Sequence, residues 1–215
     1  MHFPNESKDY RSAREKLLEA EVDLRKRIEE VAALRRKLPT GGEVPQDYAF
    51  EGVKGPVRLS QLFEKDKTLV AYSFMYGPKM AEPCPMCNAM LDALNGNAQH
   101  IAQRTNLVVI AKSPLARILE HAKSRGWSNL KLLSSEKNNY NRDYGGETPD
   151  GSQMPMLNVF VKNGQVRHFY GTEMLHAKSS PGQDPRHIDS VWPLWNLLDF
   201  TPEGRGKDWY PKLNY

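Results

Sequence analysis

Residues 69–75, Leu-Val-Ala-Tyr-Ser-Phe-Met, run without a single charge in a chain of 215 residues of which 26% are charged. Such a run belongs to a strand covered on both faces, because an exposed face would carry polar side chains. A strand of that kind lies inside a sheet shielded by helices. The chain leaves it through residues 76–83, which hold Gly77, Pro78 and Pro83, and enters Cys84-Pro85-Met86-Cys87. Met86, Met90, Leu91, Leu94 and Ile101 then recur at helical spacing to about residue 103. A buried strand, a short loop and two thiols at a helix start place the chain among α/β folds.

The alternation continues downstream. Residues 107–111 form a second apolar strand, and Ser113-Pro114 reads as an N-cap followed by proline at the first helical position. That helix runs to about residue 125, where Gly126 stops it, and 130–133 is a third strand. Residues 138–151 are polar and contain glycine, as a loop would. Residues 156–161 and 166–170 flank Asn163-Gly164, a strong hairpin signal. Residues 176–185 read as a loop and 188–198 as a last helix that Pro193 bends or delays. Upstream, 48–50 and 57–59 are short strand candidates, and Ser60 caps a turn through Leu62 and Phe63. Strand–helix–strand units imply a parallel core with right-handed crossovers, to which the Asn-Gly hairpin adds antiparallel strands. Residues 41–206 thus read as one domain, a central mixed sheet flanked by helices, and 207–215 as a tail.

Residues 1–40 differ. From 10 to 38 they read as one helical rod, with Leu17, Leu24, Val31 and Leu38 every seven positions and Ile28 and Leu34 beside them. This is a narrow apolar stripe on a charged helix, ended by Pro39 and Gly41-Gly42. It suits either a homodimer contact or packing along its own domain. About four heptads interrupted by Glu21 and Arg35 do not separate the two, with partner contact slightly favoured.

The net charge of +4 is dispersed: Arg25-Lys26-Arg27 and Arg35-Arg36-Lys37 interleave with Glu19, Glu21, Glu29 and Glu30. Mixed signs at helical spacing mark a solvated face, which argues against nucleic acid as a partner. The N-terminus lacks the apolar core of a secretory signal, and no window reaches 18 uncharged apolar residues, so no membrane span is expected. The expected address is the cytoplasm, where structural disulfides are rare and paired thiols point to redox or metal chemistry.

The Cys84–Cys87 spacing suits the first. Free N–H groups and the dipole at a helix start favour a thiolate, the reactive form of cysteine. Pro85 sits in the first turn, where its missing N–H costs nothing. Cys84, nearer the helix end, is expected to attack, and Cys87 to resolve the mixed disulfide. Tetrahedral zinc needs two further ligands. There is no third cysteine, and His2, His100, His121, His168, His176 and His187 include no His-x(3–5)-His pair, so neither metal nor cofactor is expected. Met75, Met80, Met86, Met90, Met154 and Met156 flank the thiols, either as core filling or as an adaptable apolar groove. Trp192 and Trp195 read as packing.

The stretch 57–63, then 70–78, then Cys84-Pro85-Met86-Cys87 resembles the thioredoxin-like family formerly catalogued as domain of unknown function 899. The similarity continues through 115–127, 141–145 and 197–205. The resemblance implies a thioredoxin-like three-layer fold with an N-terminal helical extension, and a dithiol–disulfide oxidoreductase acting on a protein or small-molecule disulfide. It implies a groove formed by Pro83, Pro85, Met86, Met154 and Pro155. The place of Met154-Pro155-Met156 after a long loop and before the Asn-Gly hairpin favours a cis Pro155 facing the thiols, with an ordinary trans proline at a strand start as the alternative. Departures from thioredoxin are Pro83 in place of its tryptophan, a Pro-Met spacer, and no acid within 69–75 to take a proton from Cys87; Glu82 is the nearest substitute and is expected to be exposed. The peroxiredoxin pattern Pro-x-x-x-Thr-x-x-Cys fails, since Gly77 and Ala81 occupy its Pro and Thr positions. A non-enzymatic adaptor or redox sensor is the competing reading.

Overall fold

The computed structural model describes residues 2–64, 67–184, 186–206 and 209–215. Pro185, Lys207 and Asp208, on which parts of the expected loop and tail fall, lie outside the described residues. The chain divides into two compact units, Met1–Pro39 and Thr40–Tyr215.

The first unit is a single helix, α1 (Lys8–Arg36), capped by Ser7, whose Oγ accepts the Tyr10 N–H at 3.1 Å. None of its residues is buried, and Leu17, Leu24, Ile28 and Leu34 of the stripe are each at least half exposed.

The second unit is built on a seven-stranded mixed sheet. Its elements are β1 (Ala49–Gly52), β2 (Gly55–Arg58), β3 (Thr68–Phe74), α2 (Pro85–Ile101), β4 (Asn106–Ala111), α3 (Leu115–Arg125), β5 (Leu132–Ser134), α4 (Tyr140–Asp143), β6 (Met156–Asn163), β7 (Gln165–Gly171) and α5 (Pro193–Leu198). The strand order is β2-β1-β5-β4-β3-β6-β7. β3, β4 and β5 are parallel neighbours, whereas β6 runs antiparallel on the other side of β3. The chain therefore steps outward from β3 to β5 and returns past it. Ligand sites of open α/β sheets lie at the carboxyl ends of strands where the order reverses in this way.

β3 is central because both its faces are apolar. Leu69 and Ala71 join Val108, Ile110, Leu133, Tyr140 and Phe160 on one side. Tyr72 and Phe74 join Met90, Leu91, Ile118, Ala122 and Trp195 on the other. The period of two along β3 thus feeds two cores. One is roofed by α2, α3 and α5, the other by α4 and the 3₁₀ turn Leu59–Gln61, giving three layers.

Local departures from the sequence reading have identifiable causes. Pro114 is the cap of α3, with the helix beginning at Leu115, because Ser113 is drawn away to bond the loop after β3. The polar stretch 138–151 contains α4, nucleated around Tyr140, which is fully buried between Tyr48, Phe50 and Phe160. Pro193, lacking an N–H, starts α5 and leaves Asp189–Val191 as a separate 3₁₀ turn. The described part of the tail is not detached: Pro211 is buried, and Arg125 Nη1 donates to Leu213 O at 2.6 Å.

Candidate dithiol site

The loop that carries the thiols is tied down from three sides. Cys84 N–H donates to Met75 O at 3.0 Å, fastening the start of α2 to the end of β3. Ser113 donates to that loop twice, from its N–H to Tyr76 O at 2.9 Å and from its Oγ to Gly77 O at 3.1 Å. Arg117 lies 4.7 Å over the Tyr76 ring and donates to Met80 O at 2.7 Å and Ala81 O at 3.1 Å. Gly77 is required by close approach, since a Cβ there would sit 2.8 Å from Gln153 Cγ.

Cys84 is the N-cap of α2 and is partly exposed; Pro85 follows at the first helical position. Cys87, one turn in, is 2% exposed within the apolar core. The two environments drive the thiols apart. The Cys87 thiol hydrogen-bonds Cys84, and the amides of Met86 and Cys87 face the Cys84 sulfur without closing a capping bond. With a smaller contribution from the Tyr210 hydroxyl, these outweigh partial burial and bring the Cys84 pKa down to about 6. Burial pushes the Cys87 thiol well above its ordinary value, and the neighbouring Cys84 adds to the shift.

Further side chains complete the site. The Tyr72 hydroxyl, on β3, donates to Cys87 Sγ at 3.1 Å. Asn88, 1% exposed, donates from Nδ2 to Cys84 O at 2.8 Å, and its Oδ1 lies 2.5 Å from His121 Nε2. Burial lowers the His121 pKa, favouring the neutral ring. Tyr210 reaches the thiols from the C-terminal segment. In the sequence Tyr72 gives no sign of this role, because a tyrosine within an apolar run looks like core packing. Tyr210 carried no local signal at all.

Of the other residues expected at the groove, Pro83 is buried, Pro85 and Met86 are partly buried, and Met86 packs against the core that holds Cys87. Met75 and Met80 pack there too, while Met90 is wholly buried, so the methionines are divided between rim and core filling. Met154 and Pro155 are brought close by register: Met156 pairs with Ser73, which sets the two residues before it beside the end of β3, where Cys84 is fastened. The expectation of a cis bond is corrected. No cis peptide occurs among the described residues, and the Met154–Pro155 bond is trans, the form that X-Pro bonds prefer by about 0.5–1 kcal/mol. Met154 N–H is held by Gly146 O at 3.0 Å. Glu82 is exposed, as expected. Among the described residues no three His, Cys, Asp or Glu side chains gather where they would hold a metal ion, and no helix is long and apolar enough to cross a membrane.

A mixed sheet whose central parallel strand delivers Cys-x-x-Cys to a helix start defines a thioredoxin-like protein with a dithiol site. The chain belongs to the family described as bacterial protein of unknown function (DUF899), whose model matches residues 1–215. No curated protein matches the sequence. Among solved structures, the chain is similar to the peroxidoxin BcpB from Mycobacterium tuberculosis, at 20% identity and TM-score 0.47, covering 75% of this chain and 98% of that one. It is also similar to an exposed lipoprotein thioredoxin from Streptococcus pneumoniae, at 18% identity and TM-score 0.43, covering 69% and 99%. A putative thiol:disulfide interchange protein DsbE from Chlorobium tepidum matches at 19% identity and TM-score 0.43, covering 61% and 86%.

Proposed function

We propose that the chain is a thiol–disulfide oxidoreductase, with Cys84 as the attacking thiol and Cys87 as the resolving one. The observation that carries this reading is the unequal setting of the pair, Cys84 partly exposed at the start of α2 and Cys87 2% exposed in the core. This setting draws the Cys84 pKa down to about 6 and pushes that of Cys87 up. A thiolate that exists at neutral pH and is partly open to solvent attacks a disulfide; a buried, protonated neighbour waits until the mixed disulfide forms. The substrate is a protein or small-molecule disulfide, received along the partly exposed rim of Pro85, Met86, Met154 and Pro155, with the buried Pro83 beside it. The proposed compartment is the cytoplasm, where thiols recharge the pair.

Turnover of a model disulfide with dithiothreitol tests this. Wild type is expected to turn over and Cys84→Ser to lose turnover. Cys87→Ser, given the disulfide without dithiothreitol, is expected to accumulate a mixed disulfide at Cys84, visible by mass. Turnover by Cys84→Ser equal to wild type overturns the reading. A non-catalytic adaptor whose cysteines are vestigial is favoured by a Cys84 pKa near the free-thiol value of about 8.5, which the hydrogen bonds at Cys84 oppose. A redox sensor shares the low pKa and is told apart by absent turnover.

A further inference from the structure

The resolving step makes a demand that Cys87 does not meet alone. It must become a thiolate to attack the Cys84–partner disulfide, yet it is 2% exposed in an apolar core. No carboxylate stands on β3 to take its proton. The groups acting on Cys87 are Cys84 on its own helix, Tyr72 from β3, the Met75 backbone and, from the C-terminal segment, Tyr210.

We propose that Tyr72 is the catalytic hydrogen-bond donor of the resolving step, its hydroxyl, 3.1 Å from Cys87 Sγ, stabilising the Cys87 thiolate as it forms. The proposal rests on the dithiol reading above and assigns the residue that makes the second half of it work. The Tyr72 ring is packed in the same core as Cys87, so little water competes for its O–H. Burial also pushes the phenol's own ionisation well up. The hydroxyl therefore stays protonated and acts as a donor, never as the base. A neutral hydroxyl costs far less to bury than a carboxylate, which explains how an apolar strand carries this duty.

The chemistry balances without a further reactant. The Cys84 thiolate attacks R–S–S–R′, forming Cys84–S–S–R and expelling R′–S⁻. Cys87 loses its proton to water or to the departing R–S⁻ as its sulfur attacks Cys84 Sγ. The S–S bond to R breaks, R–S⁻ leaves and takes a proton, and the Cys84–Cys87 disulfide remains. The partner disulfide is reduced, the dithiol is oxidised, and the Tyr72 O–H bond stays intact.

The test is a single turnover of the full chain with 5,5′-dithiobis(2-nitrobenzoate). The first nitrothiobenzoate released reports attack by Cys84, and the second reports resolution by Cys87. Tyr72→Phe keeps the ring and removes the donor. Its first phase is expected to match wild type and its second to slow roughly tenfold or more at pH 7, the lower end of the weight of a hydrogen bond to a charged group. Tyr72→His, which restores an N–H donor, is expected to recover part of the second phase. A general packing defect would slow both phases and lower the melting temperature. An unchanged second phase in Tyr72→Phe, or equal slowing in the Phe and His variants, overturns the proposal. If wild type itself releases no second equivalent, the dithiol reading fails first and takes the proposal with it.

Discussion

Replacing Cys87 by alanine separates the two forces that ionise Cys84. Cys87 acts on Cys84 chiefly as a hydrogen-bond donor, with the amides at the start of α2 behind it. Alanine deletes the donor and leaves those amides and Tyr210. A hydrogen bond to a charged group is worth about 1.5–3 kcal/mol, and one pKa unit corresponds to about 1.36 kcal/mol, so the Cys84 pKa should rise by about one to two units. Partial solvent access at Cys84 favours the lower end. At pH 6 about half of the wild-type thiol is ionised; after a rise of one to two units the share is about a tenth to a hundredth. The assay is the rate of iodoacetamide alkylation of Cys84 against pH, on protein kept reduced. The midpoint should move upward, and the rate at pH 6 should fall about five- to fiftyfold. Cys87→Ser, which retains a hydroxyl donor, should fall between wild type and alanine. Tyr72 loses its partner in the alanine variant, so some thermal stability should go with it. A Cys87→Ala midpoint still at the wild-type position would refute the reasoning, because the helix start alone would then hold the thiolate.

Other measurements address the rest of the molecule. Tyr210→Phe should raise the Cys84 midpoint by less than Cys87→Ala does, since its hydrogen bond is the smallest of the effects favouring the thiolate. In wild type the rate of attack on a disulfide should climb as pH rises through about 6 and level above it, the sign expected for a group whose reactive form is the deprotonated one. A Cys84 pKa below thioredoxin's value of about 7 and above DsbA's of about 3.5 stabilises the reduced dithiol to an intermediate degree. Redox titration should then place its potential between about −270 and −120 mV. Leu91→Ala, in the core beside Cys87, should cost about 2–5 kcal/mol in urea unfolding. Self-association through the α1 stripe predicts that Leu17→Glu with Leu24→Glu abolishes any dimer seen by sedimentation, with the dithiol unaffected.

The central strands and the dithiol helix were legible because their signals are local. A charge-free run, an Asn-Gly turn and cysteines beside a proline each depend on a few adjacent residues. What was not legible depended on distant partners. Ser113 looks like a helix cap until Gly77, brought back by β3, claims its hydroxyl. Tyr140 sits in a polar stretch and nucleates α4 only because Tyr48, Phe50 and Phe160 close around it. The cis expectation at Pro155 leaned on its place between a long loop and the Asn-Gly hairpin, which exerts no force on the peptide bond. The trans bond, the alternative at a strand start, follows the intrinsic preference.

The absence of an acid on β3 then changes what kind of site this is. A buried carboxylate near a thiol accepts the thiol's proton and raises its pKa by charge repulsion. A buried tyrosine hydroxyl carries no charge, so it lowers the cost of the Cys87 thiolate without storing the proton, and its bond works in that direction here. With no acid on β3 and Glu82 exposed, the proton released on resolution is expected to reach the leaving thiolate or solvent directly. The only partly exposed sulfur of the pair is Cys84, at the helix end, where the departing group also stands. Resolution in this chain should for that reason depend on the leaving thiol. Partners that release a more basic thiolate take up the Cys87 proton more readily, and partners that release an acidic one leave more of the work to water. Comparing second-phase rates for mixed disulfides of graded thiol acidity, in wild type and Tyr72→Phe, would show parallel slopes if Tyr72 only donates, and converging ones if it exchanges the proton itself.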